Sequence, residues 1–337
     1  MALSKAALCF LTVSAVALNA HTSHPDRRQD SVPKPLGQMV DLDGHRLHLN
    51  CSGRGSPTVV IENGFDEYSF DWILVQTQVA QFTRVCTYDR AGYAWSQPGP
   101  KPRTFAQINL ELRDALAKLG ENGPFVLVGH SFGGPAVRNF VVMYPKLVAG
   151  LVFVDAASEE QRYTMQNKAI RLRDGATGKA IPEPRQTMLA SDGPKPLSPL
   201  PPAATNVDPP FDRLPPEIQK LHTWADSQPA MYDAEESERT WSPEYFKHWY
   251  ETPQAGSLGS IPLIVLMRAE GGYGNDLDVP AAQLENERKQ AHAHLAALST
   301  RGKLQLVHSG HNMQVEAPAT VSQAIKDVIT VARKRSN

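Results

Sequence analysis

The stretch that most constrains this chain is residues 125–134, Phe-Val-Leu-Val-Gly-His-Ser-Phe-Gly-Gly. An apolar run fit for a buried strand passes into Gly129-His130-Ser131-Phe132-Gly133, and an amphipathic stretch from about Pro135 to Tyr144 follows. The pattern predicts a strand, a sharp turn and a helix. Glycines two before and two after Ser131 remove side chains that would block so tight a turn, which leaves the serine hydroxyl exposed at a sheet end. Gly-x-Ser-x-Gly alone arises by chance in about one chain of this length in ten at average residue usage. The flanking strand and helix give it meaning; without them it reads as a helix-capping serine in a glycine turn.

The elements around this stretch repeat its theme. Gln38–Leu42 and His45–Cys51 read as strands joined by the two-residue turn Asp43-Gly44. Thr58–Glu62 is a buried strand, followed by Asn63-Gly64-Phe65-Asp66 and a helix-like stretch from Ser69 to Gln81. Further strands are expected at Arg84–Tyr88, Leu147–Asp155, Ile261–Met267 and Leu304–His308, with helices at Phe105–Leu119, Ala281–Leu298 and Thr320–Arg333. Strands alternating with helices imply a mostly parallel α/β sheet with helices on both faces and reactive groups at the strand carboxyl ends.

Composition shifts between Ala156 and Ser260. Helical pieces are expected at Glu159–Arg173 and Glu217–Gln228, around a stretch from Ile181 to Pro216 whose prolines exclude long regular elements. Trp224, Tyr232, Trp241, Tyr245, Phe246, Trp249 and Tyr250 make the segment too aromatic for a disordered linker. It is expected to be an ordered helical cap over the strand ends, inserted over residues 158–260, with one loose part near residues 185–212.

A net charge of −1 and 20% charged residues offer no general attraction to nucleic acid or an anionic membrane. Residues 1–20 carry Lys5 as their only charge, and Ala6–Leu18 is an apolar run of about 13 residues, too short to span a bilayer and suited to a signal peptide. Cleavage after Ala17 or Ala20 would leave His21–Lys34 as a flexible lead-in, export the chain to the periplasm or outside the cell, and leave no stable membrane insertion. No histidine or cysteine spacing marks a metal site.

The Gly129–Gly133 turn, with its strand and helix, resembles the nucleophile elbow of the α/β-hydrolase superfamily. Ser309-Gly310-His311-Asn312-Met313-Gln314-Val315-Glu316-Ala317-Pro318 is similar to that family's Gly-His-x-x-x-x-Glu-x-Pro pattern, and Tyr88–Ser96 to its Asp-x-x-Gly-x-Gly-x-Ser loop, with Ala94 where glycine is common. The resemblance covers residues 38–157 and 261–334. It implies Ser131 as nucleophile, His311 as general base and a carboxylate to orient that base, because a serine hydroxyl is a poor nucleophile unaided. Asp155, at the carboxyl end of the strand after the elbow, is the preferred acid. Asp276 fits the family's more usual position but lies several residues farther from its strand than the pattern expects; Glu270 and Asp278 stand behind both.

The backbone N–H groups of Phe132 and Phe65 are the expected oxyanion donors, with Asp66 next, while Asp89 and Arg90 are expected to tie a loop beneath the site. His130 should pack or hydrogen-bond beside the nucleophile. In the resemblance's topology the second and fourth strands are neighbours, so a Cys51–Cys86 disulfide is geometrically allowed. The implied activity is cofactor-free hydrolysis of a small or medium apolar carboxylic ester. Amidase or aminopeptidase, lactonase, C–C hydrolase, acyltransferase and cofactor-free haloperoxidase chemistry share these residues, and a catalytically silent binding protein is the rival from another class. Epoxide hydrolases and haloalkane dehalogenases use aspartate where this chain has Ser131.

Overall fold

The computed structural model describes residues 32–165, 168–193, 195, 206–252, 254–269, 271, 273 and 278–336. In chain order it contains β1 (Gln38–Asp41), β2 (Arg46–Ser52), β3 (Val59–Glu62), α1 (Ile73–Val79), β4 (Val85–Tyr88), α2 (Phe105–Lys118), β5 (Phe125–His130), α3 (Gly133–Met143) and β6 (Val148–Val154). There follow β7 (Arg162–Met165), β8 (Lys168–Arg171), α4 (Pro216–Asp226), α5 (Pro229–Glu251), β9 (Leu263–Arg268), α6 (Ala281–Ala297), β10 (Gly302–Val307), α7 (Met313–Glu316) and α8 (Pro318–Ser336). Eight strands form one sheet in the order β1-β2-β4-β3-β5-β6-β9-β10; every pairing from β4 to β10 is parallel, and β1 and β2 pair antiparallel at one edge.

Alternation within the strands explains the layers. Phe125, Leu127, Leu151, Phe153, Leu263 and Val265 join Leu112 of α2, Phe140 of α3 and Leu295 of α6 on one face. Their immediate neighbours Val126, Val128, Val152, Val154, Ile264 and Leu266 join Val75 and Val79 of α1 and Ile325 and Val328 of α8 on the other. Successive strand residues point to opposite faces, so runs that are apolar at every position can be buried only between two helical layers. Each fully buried aliphatic side chain contributes about 1.5–3 kcal/mol. The parallel α/β sheet is the architecture that the sequence predicts.

Cys51 and Cys86 face each other in the β2–β4 register and are disulfide-bonded. Residues from Pro35 onward form one compact unit. The expected signal peptide lies outside the described residues, as does the lead-in up to Ser31. Among the described residues no helix is long and apolar enough to cross a membrane.

The segment between β6 and β9 departs from expectation at its start. Residues expected to be helical from Glu159 to Arg173 instead pair as the β7–β8 hairpin, ending in a 3-10 turn at Leu172–Gly175. Arg162 and Arg171 stand opposite each other in that register, and both guanidinium groups reach Glu287 of α6, at 3.1 and 3.2 Å. A carboxylate more than a hundred residues away thus holds the two strands side by side, a tertiary contact that local helix periodicity does not register. Farther on, α4 lies where helix was expected, and α5 runs for 23 residues with Pro243 inside it. Of the stretch expected to be loose, residues 194 and 196–205 lie outside the described residues. Its first residue, Arg185, is fixed by a 2.7 Å bond from its amide to Gln107 Oε1 and by a 3.0 Å ion pair with Asp192.

Candidate active site

Ser131 sits directly after β5 with φ +47°, a left-handed conformation that costs a non-glycine residue about 1–3 kcal/mol. The turn is held by hydrogen bonds from the Ser131 amide to the Val154 carbonyl (3.2 Å), and from the Gly134 and Ala157 amides to the Ser131 carbonyl (3.1 and 2.9 Å). The glycines are sterically required. A Cβ on Gly129 would lie 2.5 Å from the Gly133 carbonyl oxygen, one on Gly133 2.3 Å from the Glu62 carbonyl oxygen, and one on Gly134 2.3 Å from Ala156 Cβ. The chain therefore crosses the end of β3 with backbone against backbone and lifts the serine to the sheet edge.

One strand over, Asp155 follows β6 in the same unusual conformation, φ +39°, and its amide donates to the Leu266 carbonyl at 2.8 Å. Its Oδ2 lies 2.6 Å from His311 Nδ1 and accepts from Arg268 Nη1 at 2.8 Å. Its Oδ1 meets the Arg268 amide at 3.3 Å and His292 Nε2, also at 3.3 Å. Burial alone would raise the Asp155 pKa; contacts from His292 and His311 and the charge of Arg268 outweigh it and hold the carboxyl well below its ordinary range. It is thus an anion at neutral pH. A carboxylate at His311 Nδ1 keeps the proton on that atom and leaves Nε2 as the basic nitrogen. The protein packed around the ring, then the neighbouring His130, lower the His311 pKa, although 39% of the side chain remains open. Among the described residues no hydrogen bond joins Ser131 to His311.

The loop after β3 carries the second expected donor. Phe65 and Phe132 stack with ring centroids 4.1 Å apart, and neither backbone amide has a partner among the described residues. Two residues anchor this loop. Arg90 donates to the carbonyls of Asn63 (2.7 Å) and Gly64 (2.9 Å), to Glu62 (3.2 Å), and to both carboxylate oxygens of Glu238 in α5 (3.0 and 3.2 Å). Tyr88 bonds the other Glu62 oxygen and Tyr93 joins Glu238 at 2.8 Å. Burial pushes Glu62 up to about 7. Glu67 accepts from the Gly64 amide at 2.7 Å.

Of the remaining sequence-predicted residues, Asp278 accepts from the Ala169 amide at 3.0 Å and so braces the β7–β8 hairpin. Asp276 and Glu270 lie outside the described residues. Asp89 binds His48 Nδ1 (2.8 Å) and the Ser69 amide (2.7 Å), a loop tie as expected. His130, expected beside the nucleophile, contacts Glu67 and the His311 carbonyl. Sequence reasoning missed Arg268, His292, Glu67 and Glu238. Arg268 is the last residue of the strand beside Asp155 and was findable from position; the others carry no local signal. Among the described residues no cluster of three or more His, Cys, Asp or Glu side chains could hold a metal.

A parallel sheet with serine, aspartate and histidine gathered at its carboxyl edge defines the α/β-hydrolase class. The chain belongs to that family: the model for the alpha/beta hydrolase fold matches residues 57–318. Its fold is shared with a serine hydrolase involved in carbazole degradation, the CarC enzyme (TM-score 0.59, 17% identity, 87% of this chain and 98% of that one). It is also shared with a thermophilic esterase from Thermogutta terrifontis (0.57, 18%, 88% and 98%) and a putative epoxide hydrolase from Pseudomonas aeruginosa (0.60, 15%, 90% and 99%). Likeness at such identity shows the fold alone. Among curated relatives, a probable transporter, efuK, of Hormonema carpetanum is 32% identical over 141 residues, 40% of this chain. The matched stretches span 20%, 29% and 50% of the length of the first curated relatives.

Proposed function

We propose that this chain is a serine hydrolase that cleaves a small or medium apolar carboxylic ester through an acyl-enzyme. The observation that carries the reading is the 2.6 Å contact between His311 Nδ1 and an ionised, buried Asp155, beside a serine raised on a strained turn. Ser131 Oγ attacks the ester carbonyl carbon, and His311 Nε2 takes its proton. The C–O bond to the leaving group breaks as His311 returns that proton to the departing alkoxide. Water then attacks the acyl-enzyme with His311 again as base, releasing the acid and restoring the serine. The Phe65 and Phe132 amides serve as donors to the tetrahedral oxyanion. Asp155 keeps the imidazole in the right tautomer and stabilises its charged form.

Phe105, Phe132, Tyr245, Phe246 and Trp249 form one buried cluster, with Phe65 and Leu172 packed on it, which supports an apolar acyl or alcohol group and a cap role for the inserted segment. Epoxide opening is the weaker reading, since Ser131 occupies the position where those enzymes use aspartate. The disulfide between Cys51 and Cys86 supports export to an oxidising compartment.

The test is a p-nitrophenyl ester chain-length series with wild type and Ser131→Ala, beside a fluorophosphonate label. Wild type should turn over the shorter esters and take up the label, and Ser131→Ala should do neither. An unlabelled wild type, or a mutant with undiminished turnover, would sink the reading.

A further inference from the structure

The elbow's variable residue touches more of the site than a packing residue needs to. His130 follows Gly129 at the end of β5, and its side chain is 1% exposed. Its Nδ1 lies 2.7 Å from Glu67 Oε1, off the ideal hydrogen-bond line, and its Nε2 lies 2.9 Å from the backbone carbonyl oxygen of His311. Both ring nitrogens therefore face acceptors, which only the doubly protonated imidazolium can satisfy. Burial opposes that charge, but Glu67 and then the His311 carbonyl raise the His130 pKa; burial likewise opposes ionisation of Glu67, and His130 lowers it. Glu67 is 4% exposed, and its carboxylate is fully used: Oε1 also accepts from Gln314 Nε2 of α7 at 2.9 Å, and Oε2 accepts from the Gly64 amide at 2.7 Å. A Cβ on Gly64 would lie 3.1 Å from both Glu67 Oε2 and His130 Nδ1, so the oxyanion loop rests on this pair.

We propose that His130 and Glu67 form a buried clamp joining the oxyanion loop at Gly64, the nucleophile elbow and the His311 loop, and that both are positioning residues for the hydrolytic step. The inference rests on the serine-hydrolase reading for its kinetic consequence, but not for its structural one. One end of the clamp fixes the peptide that precedes the Phe65 amide. The other fixes the backbone of the residue that acts as base. A transition state needs the oxyanion donor, the attacking hydroxyl and the base in one geometry together, and the clamp is the set of contacts that spans all three. If the pair served only to hold the fold, its loss would cost stability and leave the chemistry of the surviving folded molecules intact.

Two histidine substitutions separate the ends of the clamp. His130→Asn places an amide near the old Nδ1 position and keeps the Glu67 contact while losing the His311 carbonyl. His130→Gln places one near the old Nε2 position and does the reverse. Glu67→Gln removes one acceptor oxygen at unchanged size. For each variant, kcat and KM would be measured with p-nitrophenyl butyrate, together with the affinity for a trifluoromethyl ketone, which forms a tetrahedral adduct, and the unfolding temperature. Hydrogen exchange over residues 63–68 and 309–314 would be followed without substrate.

The expected result is a kcat about 10–100-fold lower with KM within about twofold. Ketone affinity should fall in step with kcat/KM, and the double variant Glu67→Gln/His130→Asn should be no worse than the poorer single one. Exchange should quicken at 309–314 in His130→Asn and at 63–68 in Glu67→Gln. Folded variants with unchanged kcat and ketone affinity would overturn the positioning role, and unchanged exchange at both segments would overturn the clamp whatever the reaction proves to be. Failure of the serine-hydrolase reading is recognised separately, by a wild type that takes no fluorophosphonate label.

Discussion

The central sheet and the segment inserted between β6 and β9 are held by different balances of apolar and ionic contact. The sheet's neighbours meet through apolar side chains on both faces, whereas the insertion, which also packs Leu214, Ile218, Met231, Phe246 and Trp249 on the core, adds a set of buried ions and polar groups at the sheet's carboxyl edge. Arg90 pairs with Glu238, His222 with Asp71 (2.9 Å), Lys101 with Asp233 (2.5 Å), and the Tyr68 hydroxyl donates to Asp226 (2.7 Å). Apolar packing is non-directional and tolerates exchange of one aliphatic for another of similar volume. A buried ion pair is directional, and removing one partner leaves an uncompensated charge. The sheet is therefore a forgiving platform, and the insertion adds a few exacting contacts to its apolar packing.

The largest expected effect belongs to the platform's edge. Asp155→Asn should lower kcat/KM for a neutral ester by about 10³–10⁴-fold, because an amide can hold His311 in the wrong tautomer. Steady-state kinetics on an unlabelled, folded preparation checks this, and a loss under tenfold would remove Asp155 from the proposed triad. The seat of the insertion comes next. Glu238→Gln should destabilise the protein by about 1–3 kcal/mol, because it removes one of the two carboxylates that compensate buried Arg90, while a combined Arg90→Met/Glu238→Leu variant should not recover the loss, because it leaves Glu62 and the Asn63 and Gly64 carbonyls without their donor. Denaturant unfolding of the pair measures both; equal stability of wild type and Glu238→Gln would break the contrast drawn between the two regions.

The smallest effect is a pH dependence. The His222 pKa is raised to about 9 from an ordinary 6.5: burial opposes its charge, and Asp71 and Asp226 outweigh burial. A folded-state value above the unfolded one means that His222 contributes fully below about pH 6.5 and that its contribution is lost as pH rises through about 9. Burial likewise raises Asp71 to about 6, so the pair binds more protons folded than unfolded and stability falls as pH rises. The decline between pH 6.5 and 9 should be on the order of 1–3 kcal/mol. Melting temperatures across that range should fall for wild type and flatten for His222→Gln; parallel curves would remove the pair from the seat of the insertion.

What was legible in the chain follows the same division. The elbow could be read because close approach to backbone at 129 and 133, and to Ala156 Cβ at 134, demands glycine, and glycine is a letter of the sequence. The strands could be read because double-sided burial writes an unbroken apolar run. Asp155 was placed at the sheet edge because a strand end was visible there, and the structure sets it against His311. The insertion was read for its aromatics and for α4, but its hairpin was misread. The Arg162–Arg171–Glu287 arrangement joins residues that share no local pattern, and α5 carries Pro243, which argues against helix in any local reading. The contacts that orient the site have the same character. His130 with Glu67, Arg268 and His292 with Asp155, and Arg90 with Glu238 are pairs across long stretches of chain, each partner ordinary where it stands.

Arg90 gives its guanidinium to two customers at once: the carbonyls of the oxyanion loop and a carboxylate of α5. Any coupling carried by that fork runs equally in both directions by thermodynamic reciprocity. Occupation of the oxyanion site should therefore be legible at a distance, as slower hydrogen exchange in α5 once Ser131 carries a phosphonate. Conversely, a small molecule bound against α5 that favours one arrangement of Arg90 would bias the loop after β3 without approaching Ser131.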